Sequence, residues 1–341
     1  DVQREVDVIE EILRVYGYNN IEITDKLNAS VSNTSKFENH KIENIVANQL
    51  VGQGFHEIMT NSLTTDKYKL ISKQLDPVNN VKILNPLSND LSIMRQSLIF
   101  SGLETLAFNI NRQQLDLKLF EFGKTYHNFD ERKEEFNHLS ILLTGNKSEK
   151  SWNSNKTEVD YFYLKGIVKA VLDRLGIKKF KSFPLSNDIL NEGQQLNVGK
   201  HSIVEFGSLK TIALTPFGIS QKVFCANFNW DNLIKVINQN TIKFKDISKY
   251  PEVKRDLSLL IDEEITFENL YKLAKQTENN YLKDVNLFDV YTGDKLAKGK
   301  KSYAISFTLQ DNKQTLKDSQ IDKIMLKIQK RFESELGAEL R

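Results

Sequence analysis

Residues 303 to 309 alternate between apolar side chains and small or polar ones. The apolar members are Tyr303, Ile305, Phe307 and Leu309, with alanine, serine and threonine between them. Successive residues of a strand point to opposite faces of a sheet, so this period of two predicts a strand with one buried face. We expect its other face, small and polar, to remain open.

Helical spacing replaces this alternation in the segment that follows. Thr315 and Asp318 have the spacing of a capping box, and Gly337 can end the helix whose apolar face begins at Ile321. Upstream, the pattern predicts a strand at 256–261, a helix at 266–279 opened by Thr266, and a strand at 287–291. The predicted order from residue 256 is βαββαβ, a ferredoxin-like unit with its helices on one sheet face.

A longer stretch of mixed periodicity precedes this unit. Strand pairs outnumber strict alternation of strand and helix, which favours an α+β fold with an antiparallel sheet. An opening helix ends at Gly17, and residues 25–39 lack periodicity and predict a linker or surface crossing. The strands are predicted at 55–63, 81–84, 117–126, 139–144, 196–214 and 223–228, and the helices at 42–50, 98–111, 161–175 and 231–237.

Composition restricts the classes of protein that fit. A chain of 341 residues exceeds what one hydrophobic core usually supports, so we expect two or more domains. The formal charge of +2 excludes a polybasic nucleic-acid binder, so any RNA contact must come from a local patch. The single cysteine, Cys225, excludes an internal disulfide framework and fits a reducing compartment. The first residue is Asp1 rather than methionine, and we expect the chain to be part of a longer protein.

The last ninety-five residues resemble a known domain family. From Ile247 to Arg341 the chain is similar to the ferredoxin-fold anticodon-binding domain that closes the β subunit of bacterial phenylalanine–tRNA ligases. The resemblance rests on five separated matches in order: Pro251 with Arg255 and Asp256, the strand from Phe288 to Tyr291, Gly299 to Ser302, Thr315 with Leu316, and the terminal Leu-Gly-Ala-Glu-Leu-Arg.

An anticodon-reading site can be argued within this domain. Proteins read single-stranded bases by aromatic stacking and by hydrogen bonds to base edges, often on an open sheet face. Asp289 and Tyr291 share one face of their strand; the tyrosine offers a stacking platform, and the aspartate can accept from guanine. Ser302 begins the neighbouring strand, and Lys300 and Lys301 could neutralise phosphates. The alternative is an ordinary hairpin with a solvated basic loop. The family's anticodon readers match Asp289, Tyr291 and Ser302.

The middle region is similar to the synthetase-like module of the same β subunit, a relative of class II aminoacyl-tRNA synthetase catalytic domains. Class II sites hold ATP with arginines, because the guanidinium suits phosphate oxygens. The few arginines here follow no Gly-x-Gly element, and His127 stands where the catalytic relatives place a motif-two arginine. We therefore expect a non-catalytic scaffold. The matches are Asn85-Pro86-Leu87-Ser88, Met94 to Leu98 with Gly102-Leu103, Asn109 with Asn111-Arg112, and Leu119 to Gly123.

The opening helix carries a candidate metal site made of carboxylates. Asp7, Glu10 and Glu11 share a helical face by their spacing, and such oxygen ligands suit Mg²⁺ or Ca²⁺. By themselves they are more typical of a solvated acidic face. The segment resembles the end of the β subunit's B5 domain, and the resemblance assigns Asp1, Asp7, Glu10 and Glu11 to Mg²⁺ shared with an α subunit.

Together these resemblances predict the C-terminal part of a phenylalanine–tRNA ligase β subunit. The predicted domains are the B5 tail at 1–25, the synthetase-like module at 26–246 and the anticodon-binding domain at 247–341. The family implies a cytoplasmic (αβ)₂ heterotetramer that charges phenylalanine tRNA using ATP, in which this part is not catalytic. Two alternatives stay open: a free-standing RNA-binding adaptor, and a regulatory synthetase paralogue that binds a small ligand in the degenerate cleft.

Overall fold

Two compact units make up the chain, Asp1–Ile242 and Lys243–Arg341. The computed structural model describes residues 2–23, 25–26, 38–130, 132–148, 151–153, 155–239, 244, 246–293 and 296–341. Asp1 and residues 27–37 of the predicted linker lie outside these described residues. Within the described parts, no helix is long and apolar enough to cross a membrane.

The first unit is a mixed α+β fold. Its helices are α1 (Glu5–Tyr16), α2 (Asn39–Gly52), α3 (Ile99–Ile110), α4 (Tyr161–Arg174), α5 (Thr211–Leu214) and α6 (Trp230–Gln239). Its strands are β1 (His56–Glu57), β2 (Leu63–Thr64), β3 (Ile93–Met94), β4 (Leu117–Phe129), β5 (Arg132–Thr144), β6 (Lys181–Leu185), β7 (Leu190–Val198), β8 (His201–Leu209) and β9 (Val223–Asn229).

One large sheet organises this unit, in the strand order β1-β4-β5-β9-β8-β7-β6. The β1 strand pairs with β4 in parallel and every other neighbouring pair is antiparallel, as the α+β prediction requires. One sheet face is apolar and packs against α2, α4 and α6, with Leu50, Leu164 and Trp230 in that core. The opposite face packs in part against α3 and α5.

Several strand predictions in this unit are wrong in extent, among them the strand at 139–144, which covers only the second half of β5. The predicted strand at 55–63 contains β1 and only the first residue of β2, because the backbone N–H of Thr60 donates to the Glu121 side chain (3.2 Å) instead of to a strand. The segment 81–84 forms only an isolated bridge from Lys82 to Ile93. The predicted strand at 196–214 is the end of β7, then β8, then α5, with the left-handed Gly199 (φ 58°) making the turn. The β6 strand was not predicted.

The second unit has the predicted βαββαβ order. It consists of β10 (Val253–Asp262), α7 (Phe267–Thr277), β11 (Leu282–Tyr291), β12 (Lys300–Leu309), α8 (Asp318–Leu336) and β13 (Glu339–Leu340). The strand order is β11-β12-β10-β13, all antiparallel.

Local sequence sets the helix ends of this unit. The Thr266 hydroxyl accepts from the backbone N–H of Asn269 at the start of α7, as the sequence predicts. The left-handed Gly337 (φ 60°) ends α8, also as predicted. The predicted start of α8 at Thr315 is wrong: the helix begins after Lys317, whose N–H donates to the Gln320 side chain (3.0 Å). The Gln320 side chain thus satisfies the N–H of the residue that precedes the helix, the role that Asp318 would have had toward Thr315 in the predicted capping box.

Candidate nucleic-acid interface

The sheet of the second unit has one covered face and one face without a helix among the described residues. On the covered side, Tyr303, Ile305, Phe307 and Leu309 are buried against α7 and α8, which confirms the predicted alternation of β12. The intervening residues of β12 face the other way. We call this second side the open face, and it is formed on β12 by Ser302, Ala304, Ser306 and Thr308.

A β-bulge decides which residues of β11 reach the open face. Leu287 lies opposite Ile305, and Asp289 lies opposite Ala304, so two steps along β11 match one step along β12. Phe288 is the extra residue of this bulge. If Phe288 were paired as in a regular strand, strict alternation from Leu287 would turn Asp289 toward the core. Because Phe288 is bulged instead, Asp289 and Tyr291 point to the same side as their partners Ala304 and Ser302, which is the open face.

The predicted readers differ in how far they reach solvent. Asp289 is exposed and Tyr291 is 37% exposed, so a base can approach both. Ser302 is only 5% exposed, between Tyr291 on one neighbouring strand and Leu260 on the other. The structure therefore brings the three residues together, with the serine beneath the surface.

Arg341 is a member of this face that the sequence argument missed. Its backbone N–H donates to the Ser258 carbonyl oxygen (2.9 Å), which extends the pairing of β13 along β10. Its guanidinium carbon lies 5.5 Å from the centre of the Tyr291 ring, within the range of a cation–π contact. In the sequence, Arg341 is simply the arginine that follows Ala338-Glu339-Leu340. None of its neighbours in the chain indicates a contact with β11.

The two predicted phosphate-binding lysines do not share one face. Lys300 lies opposite Asp262 and its Nζ is 3.4 Å from that carboxylate and 3.5 Å from the carboxylate of Glu339. Lys301 points to the covered side, where its Nζ donates to the Glu263 carbonyl oxygen (2.7 Å). Each lysine already has acceptors, so the open face offers polar groups and an aromatic ring more readily than a basic patch.

In the opening helix, two of the predicted metal ligands, Asp7 and Glu11, make other contacts. The Asp7 carboxylate accepts from the backbone N–H groups of Arg4 (2.9 Å) and Gln3 (3.2 Å) and binds the Arg4 guanidinium, which holds the pKa of Asp7 below its usual value. Glu11 pairs with Arg14 at 3.0 Å. Among the described residues, which leave out Asp1, no group of three or more His, Cys, Asp or Glu is placed to hold a metal ion. The shared Mg²⁺ site stays a prediction.

In the first unit, Arg95 is buried and bound. Its Nη1 donates to Glu121 Oε1 (2.8 Å), its Nε donates to the Lys124 carbonyl oxygen (2.9 Å), and both charged side chains are almost fully buried. A Cβ on Gly123 would lie 2.4 Å from Arg95 Nη2, so this glycine makes room for the guanidinium. The Arg95 guanidinium is thus already bonded within the fold and is not free to bind a phosphate.

His127, predicted at the position of a catalytic arginine, is also held by its neighbours. Its ring stacks on Phe129 with centres 5.6 Å apart, and its Nε2 is 3.2 Å from the Thr125 hydroxyl. Burial lowers the pKa of His127, so the imidazole is neutral near pH 7. Arg112 lies over the Phe108 ring at 3.4 Å. His127 therefore presents no cation to a ligand, and Arg112 is held on the surface against Phe108.

A row of polar side chains crosses five strands of the large sheet, which the sequence argument missed. Its members lie directly opposite one another in register and so point to the same side. That side is the one opposite the apolar core of α2, α4 and α6. The signal in sequence was a polar residue between apolar neighbours on four of these strands, and β7 is mostly polar. The row is Glu121 on β4, Ser140 on β5, Asn227 on β9, Glu205 on β8 and Gln195 on β7.

Comparisons with known proteins cover nearly the whole chain. Residues 23–230 match the family described as phenylalanyl tRNA synthetase beta chain CLM domain, and residues 248–341 match the ferredoxin-fold anticodon binding domain. Solved structures are more distant: pyrrolysyl-tRNA synthetase from Desulfitobacterium hafniense is 17% identical, with a TM-score of 0.46 over 59% of this chain and 70% of that one.

Three relatives are named phenylalanine–tRNA ligase beta subunit. Those of Bacteroides fragilis (strain ATCC 25285) and Bacteroides thetaiotaomicron are each 44% identical, and that of Porphyromonas gingivalis is 39% identical. Each match covers 100% of this chain and 43% of the relative, so the chain spans less than half the length of these proteins. Because the first family model alone covers more than half of the residues, the chain belongs to the phenylalanyl-tRNA synthetase beta chain family.

Proposed function

We propose that this chain is the C-terminal part of a phenylalanine–tRNA ligase β subunit that binds the anticodon region of its tRNA and supports a separate catalytic α subunit. The observation that carries the proposal is the open face of the second unit. It sets exposed Asp289 beside Tyr291 in a domain of the anticodon-binding family. An aromatic ring beside a carboxylate suits one stacked base and one base edge that donates hydrogen bonds.

A non-catalytic role for the first unit is part of the same proposal. Arg95 is bound to Glu121, Arg112 to the Phe108 ring, and His127 is neutral and stacked. These contacts support a scaffold rather than a site that holds ATP. Activation of phenylalanine with ATP then belongs to the α subunit of a cytoplasmic (αβ)₂ assembly, with Mg²⁺ bound near Asp1, Asp7, Glu10 and Glu11.

The domain boundaries follow the same reasoning. We assign residues 1–25 to the tail of the B5 domain, 26–246 to the synthetase-like module and 247–341 to the anticodon-binding domain. The two compact units and the two family matches support a boundary near residue 245.

The decisive experiment separates catalysis from recognition. This chain alone is expected to support no phenylalanine-dependent pyrophosphate exchange, whereas the α subunit with the full-length β subunit supports it. Exchange by the chain alone would overturn the scaffold proposal and favour an independent synthetase.

The lysines of β12 test the type of tRNA contact in the same assembly. Phosphate contacts position a nucleic acid without specifying its sequence. Lys300→Ala with Lys301→Ala is therefore expected to weaken all tRNAs alike and to reduce the salt dependence of binding. Titrations at two salt concentrations measure both quantities, with Lys272→Ala in α7 as the control because that exposed lysine pairs with Glu268 of its own helix. Loss confined to phenylalanine tRNA would contradict phosphate binding by these lysines.

A further inference from the structure

A small cavity lies beside the polar row of the large sheet. Its volume is about 100 Å³. At roughly 30 Å³ for each molecule of liquid water, this is room for about three waters or one small organic molecule. The polar side chains of its wall that matter here are Ser97, Thr125, His138, Asn187, Glu205 and Asn227.

Glu205 gives this cavity a negative charge, and no cation balances it among the described residues of the cavity wall. Its side chain is half-buried and lies opposite Asn227 on one side and Gln195 on the other. The residues that line the cavity include neither lysine nor arginine. Burial raises the pKa of the Glu205 carboxyl, as expected for an acid that leaves water without an ionic partner. In contrast, the other acid of the row, Glu121, is paired with Arg95.

Two further polar atoms at the cavity have no partner. Asn187 Nδ2 and His138 Nδ1 are buried and lack a hydrogen bond within the described residues. The opposite ends of both side chains are engaged, since Asn187 Oδ1 accepts from the Leu190 N–H (2.7 Å) and His138 Nε2 is 3.2 Å from Thr125 Oγ1. Burial lowers the pKa of His138, so its ring is neutral and adds no positive charge. Buried polar atoms are rarely left unpaired, which makes these atoms candidates for ligand contacts.

The chemistry of the wall excludes soft metal ions. Cys225 also lines the cavity, but burial raises its pKa to about 12, so its sulfur stays a thiol rather than a metal-binding thiolate. No cluster of three His, Cys, Asp or Glu in the described parts of the chain is placed for a metal. A ligand that suits the site must carry a positive charge, donate hydrogen bonds to oxygen acceptors, and accept one hydrogen bond from an amide.

We propose that this cavity is a binding site for a small primary ammonium ion that also carries a hydroxyl or carbonyl oxygen, with Glu205 as its counter-ion. The ammonium group would donate to the Glu205 carboxylate and to the Asn227 side chain. Its oxygen would accept from Asn187 Nδ2. The apolar wall formed by Leu75, Ile99 and Phe100 suits a short alkyl link between the two groups. The site is independent of the tRNA-binding face, which belongs to the other unit.

Ethanolammonium and ethylene glycol form a matched pair of probes for this proposal. They have the same size, and only the first carries a charge. Calorimetric titration of the purified 341-residue chain is expected to show saturable binding of ethanolammonium and none of ethylene glycol. Potassium chloride at the same concentration is expected to have no effect. Equal responses to both organic probes, or to potassium, would overturn the proposal in favour of a water-filled or ion-filled cavity.

Variants then locate the binding. Glu205→Gln keeps the size of the side chain and removes its charge, and is expected to weaken ethanolammonium binding by about tenfold or more, as loss of a charged hydrogen bond does. Glu57→Gln, an exposed glutamate of the same unit, is the matched control and is expected to bind normally. Unchanged binding by Glu205→Gln would overturn the proposal.

A second readout separates a ligand site from a structural role. If the Glu205 carboxylate stabilised the fold, the unliganded Glu205→Gln protein would have a lower melting temperature than the wild type. Because the carboxylate is half-buried and unpaired, we expect Glu205→Gln to have the same or a higher melting temperature near pH 7. Leu75→Phe, which narrows the cavity without touching Glu205, is expected to abolish binding and covers the case in which Glu205→Gln fails to fold.

Discussion

The guanidinium carbon of Arg341 lies 5.5 Å from the centre of the Tyr291 ring, although the two residues belong to opposite edges of a four-stranded sheet. The contact requires both side chains to lean across the open face. Their orientation explains why Ser302, paired with Tyr291 in the register, is almost fully buried. The tyrosine ring is thereby positioned before any RNA binds. Less side-chain conformational entropy is then lost when a base stacks on the ring.

Replacing Tyr291 with alanine is expected to weaken binding of phenylalanine tRNA by about tenfold or more in the assembled ligase, because loss of one base–aromatic stack costs ~1–3 kcal/mol. Part of the preference over a tRNA with an altered anticodon should disappear with it. Tyr291→Phe keeps the ring and the Arg341 contact and serves as the control. Equal tRNA titrations for the alanine and phenylalanine variants would remove the stacking role.

Asp289→Asn tests whether the carboxylate reads a base edge. A carboxylate accepts two hydrogen bonds from guanine, whereas an amide replaces one acceptor with a donor. We expect a loss of about tenfold or more in discrimination at a guanine of the anticodon, since a bidentate pair contributes ~1–3 kcal/mol to base selection. Asp284→Asn, on the same strand and face, controls for the change of charge. Equal losses in both variants would point to general electrostatics instead.

Deleting Phe288 tests the bulge itself. With Phe288 removed, Asp289 follows Leu287 directly and keeps its place opposite Ala304, so Asp289 and Tyr291 stay on the open face. We therefore expect anticodon discrimination to be retained, and any loss to appear in the free energy of unfolding. Denaturant unfolding and tRNA titration measure the two effects. Phe288→Ala keeps the number of residues, and because Phe288 is exposed we expect it to change stability by about 0.5 kcal/mol or less. A folded deletion variant that loses discrimination would contradict the register described for this strand.

The acidic helix makes a prediction about subunit assembly. If Glu10 and Glu11 help to hold a shared Mg²⁺, Glu10→Ala with Glu11→Ala should weaken association with the α subunit in the presence of Mg²⁺ and change little without it. Glu5→Ala, in the first turn of the same helix, is the control. Association that is the same with and without Mg²⁺, in wild type and variant, would leave only the solvated acidic face.

The buried pair of Arg95 and Glu121 is expected to be critical for folding. Arg95→Met leaves a buried carboxylate without its cation and should lower the free energy of unfolding by ~3–5 kcal/mol. The double change Arg95→Met with Glu121→Leu should cost less than Arg95→Met alone. Lys124→Met breaks an exposed pair with Glu135 and should cost about 1 kcal/mol or less. Denaturant unfolding of the four proteins measures this, and a small loss for Arg95→Met would contradict a structural role.

Local pattern predicted most of the second unit because its signals are short-range. The alternation from Tyr303 to Leu309, the cap at Thr266 and the stop at Gly337 each depend on neighbours in sequence, and each is confirmed. The segment after Phe55 failed for the opposite reason. Its backbone is held by Glu121, which is sixty-one residues from Thr60.

The sequence by itself determined the family motifs, the βαββαβ order and the pairing of Asp289 with Tyr291 on one strand face, because these follow from residue type and spacing. Only the tertiary structure decided which side of the sheet that face is, since a one-residue bulge at Phe288 reverses the alternation. It also brought Arg341 to Tyr291 and aligned Glu205 with Asn227. Such contacts depend on strand register, which joins residues far apart in the chain and leaves no local pattern.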